Sequence, residues 1–149
     1  MSAWLQKWRA AVDKALNYLS LARKAGLIEL GEEPVGAATR ALKARLVVVA
    51  SDSGDHTWRR AKSYVAGTDQ QCVRLPFTKA EIGFAVGRQE LAIAAITDAG
   101  MALSIAESLG QPEKHKEVIE VLTAKKQRVL QRQKEAKAHA RNVRFGKKK

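Results

Sequence analysis

Leu46-Val47-Val48-Val49-Ala50 is an unbroken apolar run dominated by β-branched residues. A strand with one face in water alternates apolar and polar side chains, so a strand with no alternation is covered on both faces. This segment therefore calls for helices above and below a sheet, and the rest of the chain supplies them. Leu5, Trp8, Val12, Leu16 and Leu19 recur at spacings of 3, 4, 4 and 3, a helical stripe that continues to Ala22 and stops at Gly26. Leu27 to Leu30 is a short strand candidate. Gly31-Glu32-Glu33-Pro34 then opens a second helix that runs to about Lys43, with proline near the first turn and acids beside the positive end of the helix dipole.

The alternation continues downstream. Ser51 to Asp55 is a loop with capping chemistry for a third helix from about Thr57 to Val65. Gln71 to Leu75 reads as a strand, Thr78-Lys79-Ala80-Glu81 as the capping box of a short helix through Val86, and Leu91 to Thr97 as a further strand. Asp98 caps a helix from Ala99 to Leu109. The expected fold class is α/β: a three-layer α/β/α sandwich around a small mixed, mostly parallel sheet.

At Pro112 the character changes. From Glu113 to about Arg141 the chain is rich in helix formers and has no Gly or Pro, so one long helix is expected. Val118, Ile119, Val121, Leu122, Val129 and Leu130 give an apolar face mainly to its first half, and only that half can dock on a core. Trp4 and Trp8 are expected to pack there, against Val118 and Leu122. The organisation is thus a domain over residues 1–110 and a basic helical extension over 111–149.

Charge divides the chain in the same place. Of a formal +12, residues 111–149 carry +9, from 13 basic and 4 acidic residues. Such an excess points to a polyanionic partner. Other classes drop out. The longest apolar run, Leu91 to Ile96, is six residues, against the roughly 20 of a membrane-spanning helix. Met1 to Ala10 places Lys7 and Arg9 among its apolar residues and lacks the apolar stretch of a secretory signal. The expectation is a cytoplasmic protein with no membrane contact.

Little chemistry is encoded. Cys72 has no second thiol and reads as a small buried hydrophobe, and His56, His115 and His139 are too scattered to share a metal and read as surface residues. Phosphate loops, dinucleotide fingerprints, nucleophile elbows and paired metal histidines are all missing. Asp52, Asp55 and Asp98 could stand at strand ends, where α/β enzymes keep active sites, but helix capping accounts for all three. No catalysis, cofactor or metal is expected.

What remains is a series of linked phrases: Leu19-Ser20-Leu21-Ala22-Arg23-Lys24-Ala25-Gly26, Gly31-Glu32-Glu33, Ala44 to Asp52, Phe77-Thr78-Lys79-Ala80-Glu81-Ile82-Gly83, and Ala95-Ile96-Thr97-Asp98-Ala99-Gly100. In this order and spacing they resemble the ribosomal protein seven-Ae, thirty-e and Gadd-type superfamily of RNA-binding proteins, in its small bacterial YlxQ-like branch. The resemblance covers about Ala15 to Leu109. It implies an α/β/α sandwich that binds RNA, typically at kink-turns, and several members belong to the ribosome.

In that family the RNA is gripped where the strand before helix two turns into that helix. A glycine allows close backbone approach, and an Asn-Glu pair and a Lys reach guanine edges. Gly31 matches the glycine, whereas Glu33 stands at the Asn, Pro34 at the Glu and Ala37 at the Lys. Glu32 and Glu33 repel phosphate at a helix N-terminus, yet a carboxylate accepts from a base amino group; dipole stabilisation explains them equally well. Arg40, on the face of Ala37, is a candidate replacement cation, with Lys43 beyond it. A second family contact falls on the loop holding Arg88 and Gln89, and Arg23 and Lys24 are expected to neighbour this face. The extension adds Lys125, Lys126, Arg128, Arg132, Arg141, Arg144, Lys147, Lys148 and Lys149 as backbone contacts. The leading expectation is a non-catalytic protein that binds structured, ribosomal RNA in ribosome assembly or translation. The alternative is a protein-interaction module of the translation or transcription machinery, with ribosomal or translation-associated protein partners and a basic tether.

Overall fold

The structure is a computed structural model that describes residues 3–109 and 113–144, with side chains placed for 14–109 and 113–143. Its elements follow in the order α1 (Ala3–Ala25), β1 (Ile28–Leu30), α2 (Glu32–Arg40), β2 (Leu46–Val49), α3 (Asp55–Val65), β3 (Gln71–Arg74), α4 (Lys79–Val86), β4 (Ile93–Ile96), α5 (Ala99–Ser108) and α6 (Lys116–Arg144). The strands form one sheet in the order β1-β4-β2-β3.

β2 is the strand that the unbroken apolar run requires: all of its residues are buried. Leu46 and Val48 point into a core built with Leu19 of α1, Ile82 of α4, Ile105 of α5 and Leu122 of α6. Val47 and Val49 point the other way, into a smaller core with Val35 of α2 and Ala61 of α3. Helices thus cover both faces, and the three-layer α/β/α architecture stands.

The sheet is mixed, but the expected parallel majority is corrected. β2 and β3 pair in parallel, whereas β4 runs antiparallel to both β1 and β2. β1, β2 and β3 share one direction, as helical crossovers dictate; β4 enters between β1 and β2 from the opposite end. The cause lies in the α4–β4 connection. Gly87 takes a left-handed φ of 79° and turns the chain back. Arg88 N–H donates to the Gly83 carbonyl at 2.7 Å and Leu91 N–H to the Lys79 carbonyl at 3.0 Å. The chain retraces α4 and re-enters the sheet at the end where β3 left it.

Caps behave as their sequences predict at two helices. Thr78 and Glu81 form a reciprocal capping box on α4, and Asp98 accepts from Met101 N–H at 2.8 Å on α5. Asp52 caps not its own helix but α4, by accepting from Lys79 N–H at 2.8 Å. Asp55 lies in the first turn of α3 without a capping bond. α2 ends at Arg40, short of Lys43, because Leu42 takes a left-handed φ of 58°. Buried Gln70 fixes that turn by accepting from Ala44 N–H and donating to the Thr39 carbonyl, both at 3.1 Å. His115 is buried beside the start of α6, not on the surface, and Cys72 is only half-buried. Placement of the Trp4 and Trp8 side chains lies outside the described residues.

Candidate nucleic-acid interface

At the β1–α2 corner, Gly31 has φ 96° and ψ 165°, a conformation that residues with a Cβ rarely adopt. Its N–H donates to the Ile93 carbonyl at 3.1 Å, and its carbonyl accepts from Val35 N–H at 3.1 Å. That bond joins the start of α2 to the start of β4, so the loop carrying Arg88 and Gln89 feeds into the sheet beside Gly31. Arg88 and Gln89 are both exposed. The expected pairing of the α2 start with this loop at one end of the sheet is therefore present in the fold.

Glu32 and Glu33 are exposed in the first turn of α2. Glu32 is not free to meet a ligand unaided, because Arg60 of α3 donates to its carboxylate at 2.9 Å. Together with Glu33, Gly36, Arg40 and Tyr64 this pair lines an open groove between α2 and α3 of about 490 Å³. Gly36 forms its floor: a Cβ there would stand 3.2 Å from an Arg40 guanidinium nitrogen and 3.5 Å from the Tyr64 hydroxyl. The Arg40 side chain thus folds back toward the start of α2, while Ala37 is exposed and carries no charge. Two guanidiniums, a phenol and two carboxylates give the groove donors and acceptors suited to base edges.

Sequence reading missed Arg60 and Tyr64. The signal was their i, i+4 spacing on the face of α3 that turns toward α2. Trp58 of the same helix is occupied within the fold, with Arg74 Cζ 5.1 Å and Lys62 Nζ 5.9 Å from its ring centroid.

Other candidates lie elsewhere. Arg23 and Lys24 close α1 just before β1 begins, and Lys43 precedes the start of β2. β1 and β2 both finish at the Gly31 end, so these three cations stand at the opposite end of the sheet. The expectation that Arg23 and Lys24 neighbour the Gly31 face is corrected: α1 delivers the chain to the beginning of β1, not to its end.

α6 docks through buried Leu122, with Val118 and Ile119 beside it. Lys125 closes an ion pair with Asp69 at 2.7 Å, and the hydrogen bond from Lys125 holds the Asp69 carboxyl below its ordinary range. From Leu130 to Val143 every residue is exposed, Arg132 and Arg141 included, and Arg128 is exposed just before them. That stretch is a rod of about 20 Å. Arg144 ends α6, and Lys147, Lys148 and Lys149 lie outside the described residues. Among the described residues no group of three or more His, Cys, Asp or Glu is placed to hold a metal ion, and no helix is long and apolar enough to cross a membrane.

No family model matches the sequence. A curated relative, the RNA-binding protein YlxQ of Enterococcus faecium, is 34% identical over 90 residues, which is 60% of this chain and 85% of that protein. The chain belongs to the YlxQ-like bacterial family. A solved structure of a Bacillus halodurans protein of unknown function superposes on this YlxQ-like chain with a TM-score of 0.61 and 27% identity, covering 65% of this chain and 97% of that one. The Giardia lamblia 15.5kD RNA-binding protein shares the fold with a TM-score of 0.52 and 20% identity, covering 70% of this chain and 88% of its own. Both neighbours are almost complete within the match, so the YlxQ-like chain carries residues beyond the shared domain.

Proposed function

We propose that this protein binds structured RNA and performs no chemistry on it, its ligand being ribosomal RNA in an assembling or translating ribosome. The observation that carries this reading is the exposed basic rod of α6, attached to a domain whose relative in Enterococcus faecium is an RNA-binding protein. In this reading Gly31 lets the RNA approach the backbone closely, and the Arg40–Arg60–Tyr64 groove and the Arg88-Gln89 loop contact bases and phosphates. α6 adds affinity through the backbone.

Crosslinking in cells, followed by sequencing of the bound RNA, tests this. Recovery of discrete ribosomal RNA segments, reduced by Arg60→Ala and Arg88→Ala, is the expected result. The acidic pair Glu32 and Glu33 at the α2 end favours a second reading, in which that surface docks a protein of the translation or transcription machinery. A crosslink profile insensitive to both substitutions selects it.

A further inference from the structure

The two ends of the sheet differ in charge. Around the end where β1, β2 and β3 finish, the acids Glu32, Glu33, Asp52, Asp55, Glu81 and Glu90 are interspersed with the cations Arg40, Arg60, Arg74, Lys79, Arg88 and Lys114, so the charge there is mixed. At the other end, where those strands begin, three separate parts of the chain deliver cations. Arg23 and Lys24 come from the last turn of α1, Lys43 and Arg45 from the α2–β2 connection, and Lys125, Lys126 and Arg128 from α6. The acids there are Asp69 and Asp98, and both are engaged, by Lys125 at 2.7 Å and by Met101 N–H at 2.8 Å.

These cations belong to one end by construction. α1 packs on α5 and α5 on α6, so the first turn of α5 stands between the end of α1 and Lys126, whose Cε would lie 3.9 Å from a Cβ on Gly100. On the opposite layer, Gln70 ties Thr39 and Ala44 to the start of β3, which carries Lys43 and Arg45 to the same edge as Asp69. α6 begins just after His115, which shares a cavity with Leu75 and Pro76 after β3. It passes Asp69 before β3 at Lys125, so its outer part projects beyond the cationic end.

We propose that this end of the sheet, continued by the outer half of α6, is a second RNA surface that takes the phosphate backbone of a helical RNA segment without reading its sequence. The proposal rests on the RNA-binding reading above and adds where the backbone is held. Dipole complementarity accounts for Arg23 and Lys24 in a last helical turn and for Lys43, whose N–H closes the end of α2 by donating to the Ala38 carbonyl at 2.9 Å, but not for Arg45, Lys126 or Arg128, which are at no helix end. An anionic membrane is a poorer match, because a helix lying in a membrane interface needs an apolar face; between Leu130 and Val143 those two are the large apolar residues. Because the surface faces away from Gly31, a molecule bound through α2 still offers backbone contacts to another RNA segment.

The test uses the full chain and a plain blunt-ended RNA duplex without loops or bulges, titrated over a range of salt. The triple variant Arg23→Gln, Lys24→Gln, Lys43→Gln changes exposed residues. Its log K against log salt slope on the duplex is expected to shrink by about 2 to 3 units, since each phosphate that is no longer neutralised removes about 0.7 to 0.9. A control with the same change of charge elsewhere, Lys14→Gln, Arg59→Gln, Lys116→Gln, is expected to reduce the slope by less than a single phosphate would. A wild-type slope in the triple variant, or an equal reduction in the control, overturns the proposal. If the wild-type chain ignores the duplex yet binds the RNA recovered by crosslinking, the second surface falls while the RNA-binding reading stands. Binding to neither removes both.

Discussion

Gly83 decides where the chain goes after α4. A Cβ at this position would stand 2.6 Å from Glu90 Cα, 2.8 Å from Glu90 N and 2.9 Å from the Arg88 carbonyl oxygen. All three neighbours are backbone and cannot swing aside. Gly83→Ala is therefore expected to lift the Arg88 loop off α4 and to destabilise the fold by about 1–3 kcal/mol in urea titration. Ala37 is the converse case, since a side chain is missing where one would be useful. The bidentate base contacts worth about 1–3 kcal/mol each have no Lys at 37 and no Glu at 34 to make them, so a simple kink-turn duplex is expected to bind no better than an unkinked duplex of equal length. Ala37→Lys is expected to improve kink-turn binding only modestly in a gel-shift titration, because Glu33 stays where the family has Asn. A tight, salt-resistant complex between the wild-type chain and the kink-turn would contradict this.

Among the elements, those whose determinants are local were legible. The Thr78–Glu81 box, the Asp98 cap and the β2 run each depend on neighbours within a few residues, and each is present as read. What escaped depends on partners far along the chain. α2 stops at Arg40 because Gln70, 26 residues beyond Ala44, takes that residue's N–H. The direction of β4 follows from Gly87 and from the fit of Glu90 against Gly83, neither of which leaves a periodic trace. The α2–α3 groove joins residues 28 apart, as the Arg60–Glu32 bond shows. α6 supplies two predictions at this scale. Leu122 is fully buried, so Leu122→Ala is expected to cost about 2–5 kcal/mol and to expose α6 to proteolysis. Burial, with Lys114 beside it, pushes the His115 imidazole below its ordinary value. As pH falls through about 6.5, the unfolded chain takes up a proton at this site that the folded chain resists. Stability is therefore full above that pH and declines as pH drops toward the folded value. Thermal melts across that window are expected to show the decline, and His115→Gln to flatten it.

For the molecule as a whole, the sequence revealed that the charge is concentrated beyond residue 110, but not which end of the domain the charge extends. That required knowing that α6 starts near Pro76 and leaves past Asp69. The same geometry sets where the extension divides by role. Leu122 and the Lys125–Asp69 pair hold α6 to the domain, whereas from Lys126 onward ten basic residues and one acid remain. Removing residues 126–149 is therefore expected to leave the domain folded, with a melting temperature close to that of the full chain, because the docked turns are retained. Its effect on RNA should be uniform. Contacts to phosphate carry no sequence information, so affinity should fall by the same factor for every RNA tested, and the order of preference among them should persist. The slope of log K against log salt should decrease by about 0.7 to 0.9 for each phosphate that the removed residues neutralise. A filter-binding series over salt with the truncated and full chains measures both quantities. An unchanged slope would mean that the outer half of α6 touches no phosphate. A changed order of preference would mean that it reads bases, a task for which its regular row of lysines and arginines offers no fixed frame.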